Sequence, residues 1–513
     1  MRTQLTSLDQ VCGPALMPRY VPEDHGIGIV HFGMGAFHRA HQAVMTDDAL
    51  AHHGGDWRIV GVNLRSKDIA AQLNTQNGLY TLLERGATET TARVIASIDH
   101  VIAADTDATL AMLCDPGVRV VTLTVTEAGY GIDRESRLPD LQNRVVLADL
   151  ARPEKAVGVL GLLVASIDQR RKLGLEPLAI LSCDNLPANG AYLRDGVIGF
   201  ARKAYGVELA DWIEINIAFP SSMVDRITPA STTDTCREAA RLTGCEDKAA
   251  IETEPFVQWV VEDNFPSGRP KWEAGGADFV ADVVPYERMK LMMLNGSHSM
   301  LAYSGFLTGK TCVRDVMQDE NLSVLVSRHL KAAAALLEPL PNIDYADYAS
   351  ALIDRFANPS IAHKTFQIAD DGTQKLPQRI LQPAVEALDS GKDIRPFAFA
   401  TAMWMRFSIQ RQDDEERYEL RDPRAGEISQ AVNGKSSDAR SLSDAIHALP
   451  DLIPRQLCLS DYWRECIVEI LAMAISDGCC VAVKHEANLV CGKQDVIMKN
   501  RCHKSSQGQR HSG

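Results

Sequence analysis

Ile27-Gly28-Ile29-Val30-His31-Phe32-Gly33-Met34-Gly35-Ala36-Phe37-His38-Arg39-Ala40-His41-Gln42 is the stretch that decides the fold. Its first six residues read as a β-strand, two glycines then make a turn, and the remainder opens a helix. This order suits a dinucleotide pyrophosphate. Gly33 permits the tight turn, Gly35 lets backbone approach phosphate, and the helix N-terminus offers unpaired N–H groups. The third position of the G-x-G-x-x-G pattern is His38 instead of glycine. Gly33, Gly35, Phe37 and His38 are the cofactor-binding candidates of this segment.

Working outward, Arg58–Val62, Val118–Val125 and Leu178–Cys183 are further strand candidates, alternating with longer helical stretches. That alternation is the pattern of a mostly parallel sheet covered by helices, with ligand-binding loops at the carboxyl ends of the strands. The second strand runs into Asn63-Leu64-Arg65-Ser66-Lys67-Asp68, where an acid is expected to grip the adenosine ribose. Asp68 is the candidate and favours NAD over NADP, because a carboxylate repels a 2′-phosphate. The neighbouring Arg65, Ser66 and Lys67 pull the other way.

After Pro285 the texture changes. Tyr286–Leu307, Leu322–Leu337, Tyr345–Phe356 and Pro396–Gln410 all read as helices, with few β-branched runs between them. The expected fold is α/β: a Rossmann-type dinucleotide-binding domain over 1–285, a mainly α-helical substrate and catalytic domain over 286–483, and a basic tail over 484–513. The tail carries six Lys/Arg against two Asp/Glu and reads as disordered, with Cys491 and Cys502 incidental to it.

The 513 residues are too many for one ordinary core, and 45% hydrophobic with 23% charged residues describes a globular protein. A formal net charge of −14 leaves no basic footprint for nucleic acid or anionic lipid, so small molecules are the expected partners. No apolar run approaches the roughly 20 residues needed to span a bilayer, and Met1–Tyr20 lacks the apolar core of a signal peptide. A cytoplasmic location is the resulting expectation. The twelve cysteines show no Cys-x-x-Cys pair and no Cys/His grouping of zinc type, so no metal is expected and the thiols read as reduced.

The chemistry-bearing segment is Pro285-Tyr286-Glu287-Arg288-Met289-Lys290-Leu291-Met292-Met293-Leu294-Asn295-Gly296-Ser297-His298. On a regular helix turning about 100° per residue, Glu287, Lys290, Asn295 and His298 fall within one arc of about 140°. Leu291 and Leu294 share that arc, so the polar groups face protein, where they need partners or a ligand. Oxidising a secondary alcohol requires a base for the hydroxyl proton and a stabiliser for the developing alkoxide. A lysine of lowered pKa can be the base, an asparagine amide can donate to the oxygen, and a histidine can hold a neighbouring hydroxyl. Ser182-Cys183-Asp184-Asn185 ends a strand at the ligand-binding edge, where Asn185 can supply a second donor or Asp184-Asn185 can simply form an Asx turn.

These segments together resemble the mannitol dehydrogenase family of long-chain polyol dehydrogenases, which includes mannitol 2-dehydrogenases and D-mannonate oxidoreductases (fructuronate reductases). The resemblance spans nearly all of residues 25–470. It rests on motifs in order: Gly33–Gln42, Thr124–Tyr130, Ser182–Gly190, Met223–Ile227, Glu254-Pro255-Phe256 and Lys290–His298. It implies metal-independent, NAD-linked oxidoreduction of a sugar alcohol or sugar acid. By the same resemblance Lys290 matches the general base, Asn185 and Asn295 the oxyanion-stabilising pair, and His298 a substrate hydrogen-bonding residue. Asp225 matches a substrate-site acid, Glu287 and Glu127 carboxylates of proton movement, and Asp68 the position linked to NAD preference.

Substrate identity divides along the chain. Asn63-Leu64-Arg65-Ser66 and Asn185–Gly190 look like mannitol dehydrogenases, whereas Thr365–Arg379 looks like the mannonate branch. Mannitol enzymes carry an arginine eight residues before the lysine that matches Lys375; Gln367 stands there in this chain. Gln367 and Lys375 are therefore substrate-binding candidates, with Lys375 or Arg379 available to pair a carboxylate. The expected reaction interconverts an open-chain polyol or aldonate with its 2-ketose or keto-acid. An epimerase that retains NAD, removing hydride and returning it, is the alternative in a different class.

Overall fold

The computed structural model describes residues 2–490 apart from 342, 410–417 and 436. The chain divides into two compact units, Met1–Tyr286 and Glu287–Gly513.

In the first unit eleven strands are described: β1 (Ile27–Phe32), β2 (Arg58–Asn63), β3 (Tyr80–Arg85), β4 (Thr90–Ile95), β5 (Ile98–Ala103), β6 (Val120–Leu123), β7 (Ala179–Ser182), β8 (Ser222–Asp225), β9 (Ile251–Thr253), β10 (Gln258–Glu262) and β11 (Ala277–Val280). Five of them form a sheet in the order β5-β2-β1-β6-β7, every pair parallel. Counting only those five, the order is third, second, first, fourth, fifth. That is the doubly wound arrangement in which the strand order reverses beside β1. Ala218 extends the sheet by a parallel bridge to Ala179, in the position of a sixth strand.

β1 is nearly continuous in apolar residues because both of its faces are covered. Ile29, Val120 and Leu181 lie in one core with the helix Gln42–His53, while Val30, Phe32, Val121, Leu123 and Ile180 lie in the other with Val159–Leu173 and Asn189–Ala204. The four strands expected from sequence are all present, Ile27–Phe32 with the expected ends and the other three with shifted ends. The two three-stranded sheets, β11-β10-β8 and β4-β3-β9, were not foreseen. Their strands are short and mix polar with apolar residues, so no clear two-residue period marks them.

In the second unit the helices start where the side chains can cap them: Asp319 before Glu320–Ala334, Asp344 before Tyr345–Ala357 and Ser460 before Asp461–Ser476. Every residue of Arg395–Ser408 from Pro396 onward is buried, as befits a helix apolar on nearly all sides. It packs against Gly296–Leu307 and Asp461–Ser476.

The basic tail needs a correction at its start. Residues 479–490 are helical, with Glu486 only 1% exposed and paired to Arg328 at 2.7 Å and Arg395 at 2.6 Å. Composition made this stretch look solvated, but a buried ion-pair network holds it to the unit. The rest of the tail, 491–513, lies outside the described residues.

Candidate active site

The sheet collects one group of candidates at the carboxyl ends of neighbouring strands. Gly33 and Gly35 follow β1, Asp68 follows β2, Glu127 follows β6 and Asn185 follows β7. Gly33 has φ +91°, and a Cβ there would lie 2.1 Å from the Thr124 carbonyl oxygen, so the turn runs against the end of β6 and only glycine fits. Gly35 is exposed, and a Cβ on it would meet nothing nearer than 3.7 Å, which leaves the backbone open to a phosphate.

The turn is braced from below. The Gly33 carbonyl accepts from Gly35 N–H (2.6 Å), from the Thr124 hydroxyl (2.9 Å) and from His31 Nε2 (3.1 Å), while Asn63 Oδ1 takes the Met34 N–H at 2.8 Å. The helix Ala36–Ala40 begins at Gly35 with no side-chain cap, so its first N–H groups remain for a ligand. The residues present therefore fit a dinucleotide.

His38 does not sit as expected. Its side chain is fully buried and stacks on His31, the ring centroids 3.4 Å apart. The third glycine of such a motif normally serves close helix–strand packing. Here two flat imidazoles fill that space, and His38 has only its main chain to offer a cofactor. Burial drives the His31 pKa down to about 3 despite the bond to the Gly33 carbonyl, and burial, together with the His31 ring stacked on it, holds His38 well below its ordinary value. Both rings are neutral. Phe37 is half-buried against His41, and Asp68 is exposed and takes the Ser66 hydroxyl at 3.1 Å.

Asn185 is exposed two residues past Cys183. The Asx turn considered for its neighbour gives way to a longer-range bond. Asp184 Oδ2 accepts from Val125 N–H at 2.9 Å and from the Tyr130 hydroxyl at 2.7 Å. This holds the loop carrying Glu127, in which Thr126 adopts φ +66° and ψ 160°, a region that suits glycine. Burial raises the Asp184 pKa, and these hydrogen bonds oppose the rise. Glu127 itself is half-exposed and pairs with Arg134 at 3.3 Å. Asp225, 6% exposed, ends β8, which Asn189 ties to the end of β7 through both the N–H and the carbonyl of Ser222.

In the second unit the regular helix assumed for Lys290–His298 is interrupted. Val284–Met289 is α-helical, Lys290–Asn295 is π-helical, and Gly296–Leu307 is α-helical again. The Gly296 N–H bonds the Leu291 carbonyl, five residues back. A π turn takes more residues than an α turn, so each residue advances through a smaller angle, and Asn295 is five residues past Lys290. The regular wheel sets these two about 140° apart; the π turn narrows that angle and brings them towards one face. Ser297, fully buried, donates to the Met293 and Leu294 carbonyls of the irregular turn.

Lys290 is 8% exposed and His298 7%. Asn295 and Glu287 are half-buried. The His298 ring lies 4.6 Å from Phe356 and 5.6 Å from His363, and its Nε2 is buried with no hydrogen-bond partner. Burial first, then the charges of His363, Arg355 and Arg379, holds its pKa well below the ordinary histidine value. Gln367 is exposed in the short helix Thr365–Ile368. Lys375 donates to the Asp370 carbonyl at 2.6 Å and lies 3.9 Å from Asp371. Among the described residues no group of three or more His, Cys, Asp or Glu is placed to hold a metal ion. No helix among them is long and apolar enough to cross a membrane.

Two family models match end to end: the mannitol dehydrogenase Rossmann domain over residues 27–274 and the mannitol dehydrogenase C-terminal domain over 282–450. The chain belongs to the mannitol dehydrogenase family. It is 42% identical over 425 residues to D-mannonate oxidoreductase of Escherichia coli K12, covering 80% of this chain and 86% of that protein. It is 37% identical over 422 residues to the polyol:NADP oxidoreductase of Gluconobacter oxydans, covering 81% and 86%. Its structure matches the Pseudomonas fluorescens mannitol 2-dehydrogenase ternary complex with NAD and D-mannitol at a TM-score of 0.80 and 35% identity, over 95% of this chain and all of that one.

Membership of the mannitol dehydrogenase family makes the chain an oxidoreductase, and its fold is the α/β one expected, a Rossmann-type domain followed by a mainly helical one. Several motifs that carried the resemblance turn out to be architectural. Gly190 allows the helix Asn189–Ala204 to approach the Phe219 carbonyl, where a Cβ would lie 2.5 Å away. Arg226 reaches the Glu254 carbonyl, and Glu254 Oε1 takes the Ile227 N–H at 2.7 Å. Sequence reasoning missed the π turn Lys290–Asn295, the stacked His31–His38 pair and the role of Asp184. A π turn leaves no residue signature, and the other two depend on partners remote in sequence.

Proposed function

We propose that this chain is an NAD-dependent secondary-alcohol dehydrogenase that interconverts an open-chain polyol or aldonate with its 2-ketose or keto-acid. The observation that carries the reading is the π turn, which brings Asn295 towards the face of Lys290 one turn below and precedes a buried His298 whose Nε2 lacks a partner. Such a wide turn costs regular hydrogen bonds and is found most often at functional sites.

Lys290 in its neutral form takes the hydroxyl proton from the carbon being oxidised, and Glu287 passes that proton on. The Asn295 amide donates to the oxygen as negative charge develops on it, with Asn185 as the second donor. His298, kept neutral, hydrogen-bonds a neighbouring hydroxyl and so fixes the sugar chain, and Asp225 is a further anchor for it. Bound NAD would supply the acceptor for the hydride that leaves the same carbon. Its pyrophosphate would lie on Gly33, Gly35 and the first amides of Ala36–Ala40, and Asp68 would accept from the adenosine ribose hydroxyls and discriminate against a 2′-phosphate. The relative named for NADP keeps that preference a matter for measurement.

The test is Lys290→Ala assayed with NADH and a ketose or keto-acid. The expected outcome is unchanged NADH binding by fluorescence with kcat lower by about 1,000-fold. Near-normal turnover in that variant overturns the role of the lysine.

A further inference from the structure

Several basic residues of the second unit have acidic partners among the described residues. Arg288 pairs with Glu386, Arg328 and Arg395 with Glu486, Arg424 with Glu427 and Arg421 with Asp370. Arg379 is largely buried, yet among the described residues no carboxylate lies within ion-pairing distance of it. Its one side-chain hydrogen bond is from Nη1 to the Ser299 hydroxyl at 3.3 Å. Burial lowers its pKa, and the Tyr303 phenol is the group that acts in the opposite direction. A guanidinium removed from water without a counter-ion is costly, and a bidentate carboxylate is the partner its fork geometry fits best.

Its position gives that cost a use. Arg379 sits in a second π turn, Pro377–Leu381, where the proline cannot supply the usual helix N–H. This turn presses on the start of the helix carrying His298: a Cβ at Gly296 would lie 3.0 Å from the Arg379 carbonyl oxygen. Ser299, which receives the guanidinium, is four residues past Asn295, about 6 Å along the helix axis. That is the reach of an open-chain six-carbon sugar from its reacting carbon to its far end. His298 Nε2, His363 Nδ1 and the Tyr303 hydroxyl in the same neighbourhood are buried and unpartnered. Lys375, the other cation of the segment, is already committed to the Asp370 and Ile368 carbonyls.

Resting on the dehydrogenase reading above, we propose that Arg379 anchors a carboxylate at the far end of the substrate, so that the enzyme prefers sugar acids to uncharged polyols. The guanidinium is then a specificity residue: it neutralises the acid and leaves the proton and hydride steps at the other end of the chain untouched.

The experiment compares NADH-dependent reduction of D-fructuronate and D-fructose by the wild type, Arg379→Gln and Arg379→Lys. The wild type is expected to favour the keto-acid in kcat/KM, Arg379→Gln to cut the keto-acid to ketose ratio by about 100-fold, and Arg379→Lys, which keeps the charge, to recover part of it. A second arm measures thermal stabilisation of each protein, with NADH present, by D-mannonate and by D-mannitol. Mannonate is expected to stabilise the wild type and not Arg379→Gln. An unchanged ratio, an equal loss on both substrates, or equal stabilisation by mannonate overturns the proposal. Should the wild type reduce neither compound, the dehydrogenase reading falls, and stabilisation by mannonate that Arg379→Gln abolishes still supports the carboxylate anchor.

Discussion

His31 and His298 are both buried imidazoles held neutral by burial, in the first and second units respectively, and they differ in what they touch. His31 Nδ1 meets the Thr122 hydroxyl at 2.7 Å and its Nε2 meets Gly33 and Thr124, so both nitrogens are satisfied. His298 Nε2 has no partner. A buried polar atom left unpaired costs about 1–3 kcal/mol, so its retention points to a ligand. The His31 ring is thus a finished piece of scaffold, whereas His298 Nε2 is left for a ligand to complete, which in the function proposed above is the substrate.

The largest expected effect tests that contrast directly. His298→Ala lowers kcat/KM for the ketose or keto-acid by about 100-fold, chiefly through KM, because a substrate hydroxyl loses its partner. His31→Asn leaves kcat at saturating NADH within about twofold, since it touches the turn and not the substrate. Steady-state kinetics on the two variants decide it: equal losses in kcat would make the two histidines the same kind of residue.

The next effect concerns acid. His31 and His329 have folded pKa values lowered to about 3 and about 4, and His38 and His298 are lowered as well. Below pH 6.5 the unfolded chain binds protons that the folded chain refuses, so stability falls as pH drops through 6.5 towards those lower values. His31 and His329 each cost about 2 kcal/mol at pH 5. Urea unfolding at pH 7 and pH 5 should therefore show a difference that shrinks by about 2 kcal/mol in His31→Asn. A difference of the same size in the variant would show that His31 does not stay neutral in the fold.

The smallest effect separates holding a loop from doing chemistry. Asp184→Asn keeps the shape, and with its amide oxygen still accepting from Val125 N–H and the Tyr130 hydroxyl it turns a donor NH2 towards the Thr126 N–H. The strained Thr126 then relaxes, and kcat should fall about 10-fold with NADH affinity unchanged. Tyr130→Phe should reproduce part of that loss. If Asp184→Asn instead weakens NADH binding and spares kcat, the loop belongs to the cofactor side.

How much was legible in advance differs between the two regions. The strand–Gly33–Gly35–helix pattern is local, and the structure repeats it residue for residue. The list of useful groups around Lys290, Asn295 and His298 was also local, yet the reason they share a line was not. A regular wheel held them in a wide arc, and only the wider π turn of Lys290–Asn295 draws Asn295 towards the face of Lys290. His38 was read as a cofactor residue because a motif position was assumed to keep its usual surroundings; His31, seven residues earlier, already occupied them. The end of the chain was misjudged for the same reason, since Glu486 looks like a surface charge until Arg328 and Arg395 close around it.

The sequence by itself determined the fold class, the family and the residue types available for chemistry, because those depend on local periodicity, glycine placement and ordered motifs. The tertiary structure alone decided which polar groups are already spent. Asp184, Lys375, His31 and Glu486 bond to partners within their units, whereas among the described residues Arg379 has no carboxylate partner and His298 Nε2 no hydrogen bond. Satisfaction of a buried group is a property of its neighbours in space, and a one-dimensional pattern carries no record of them.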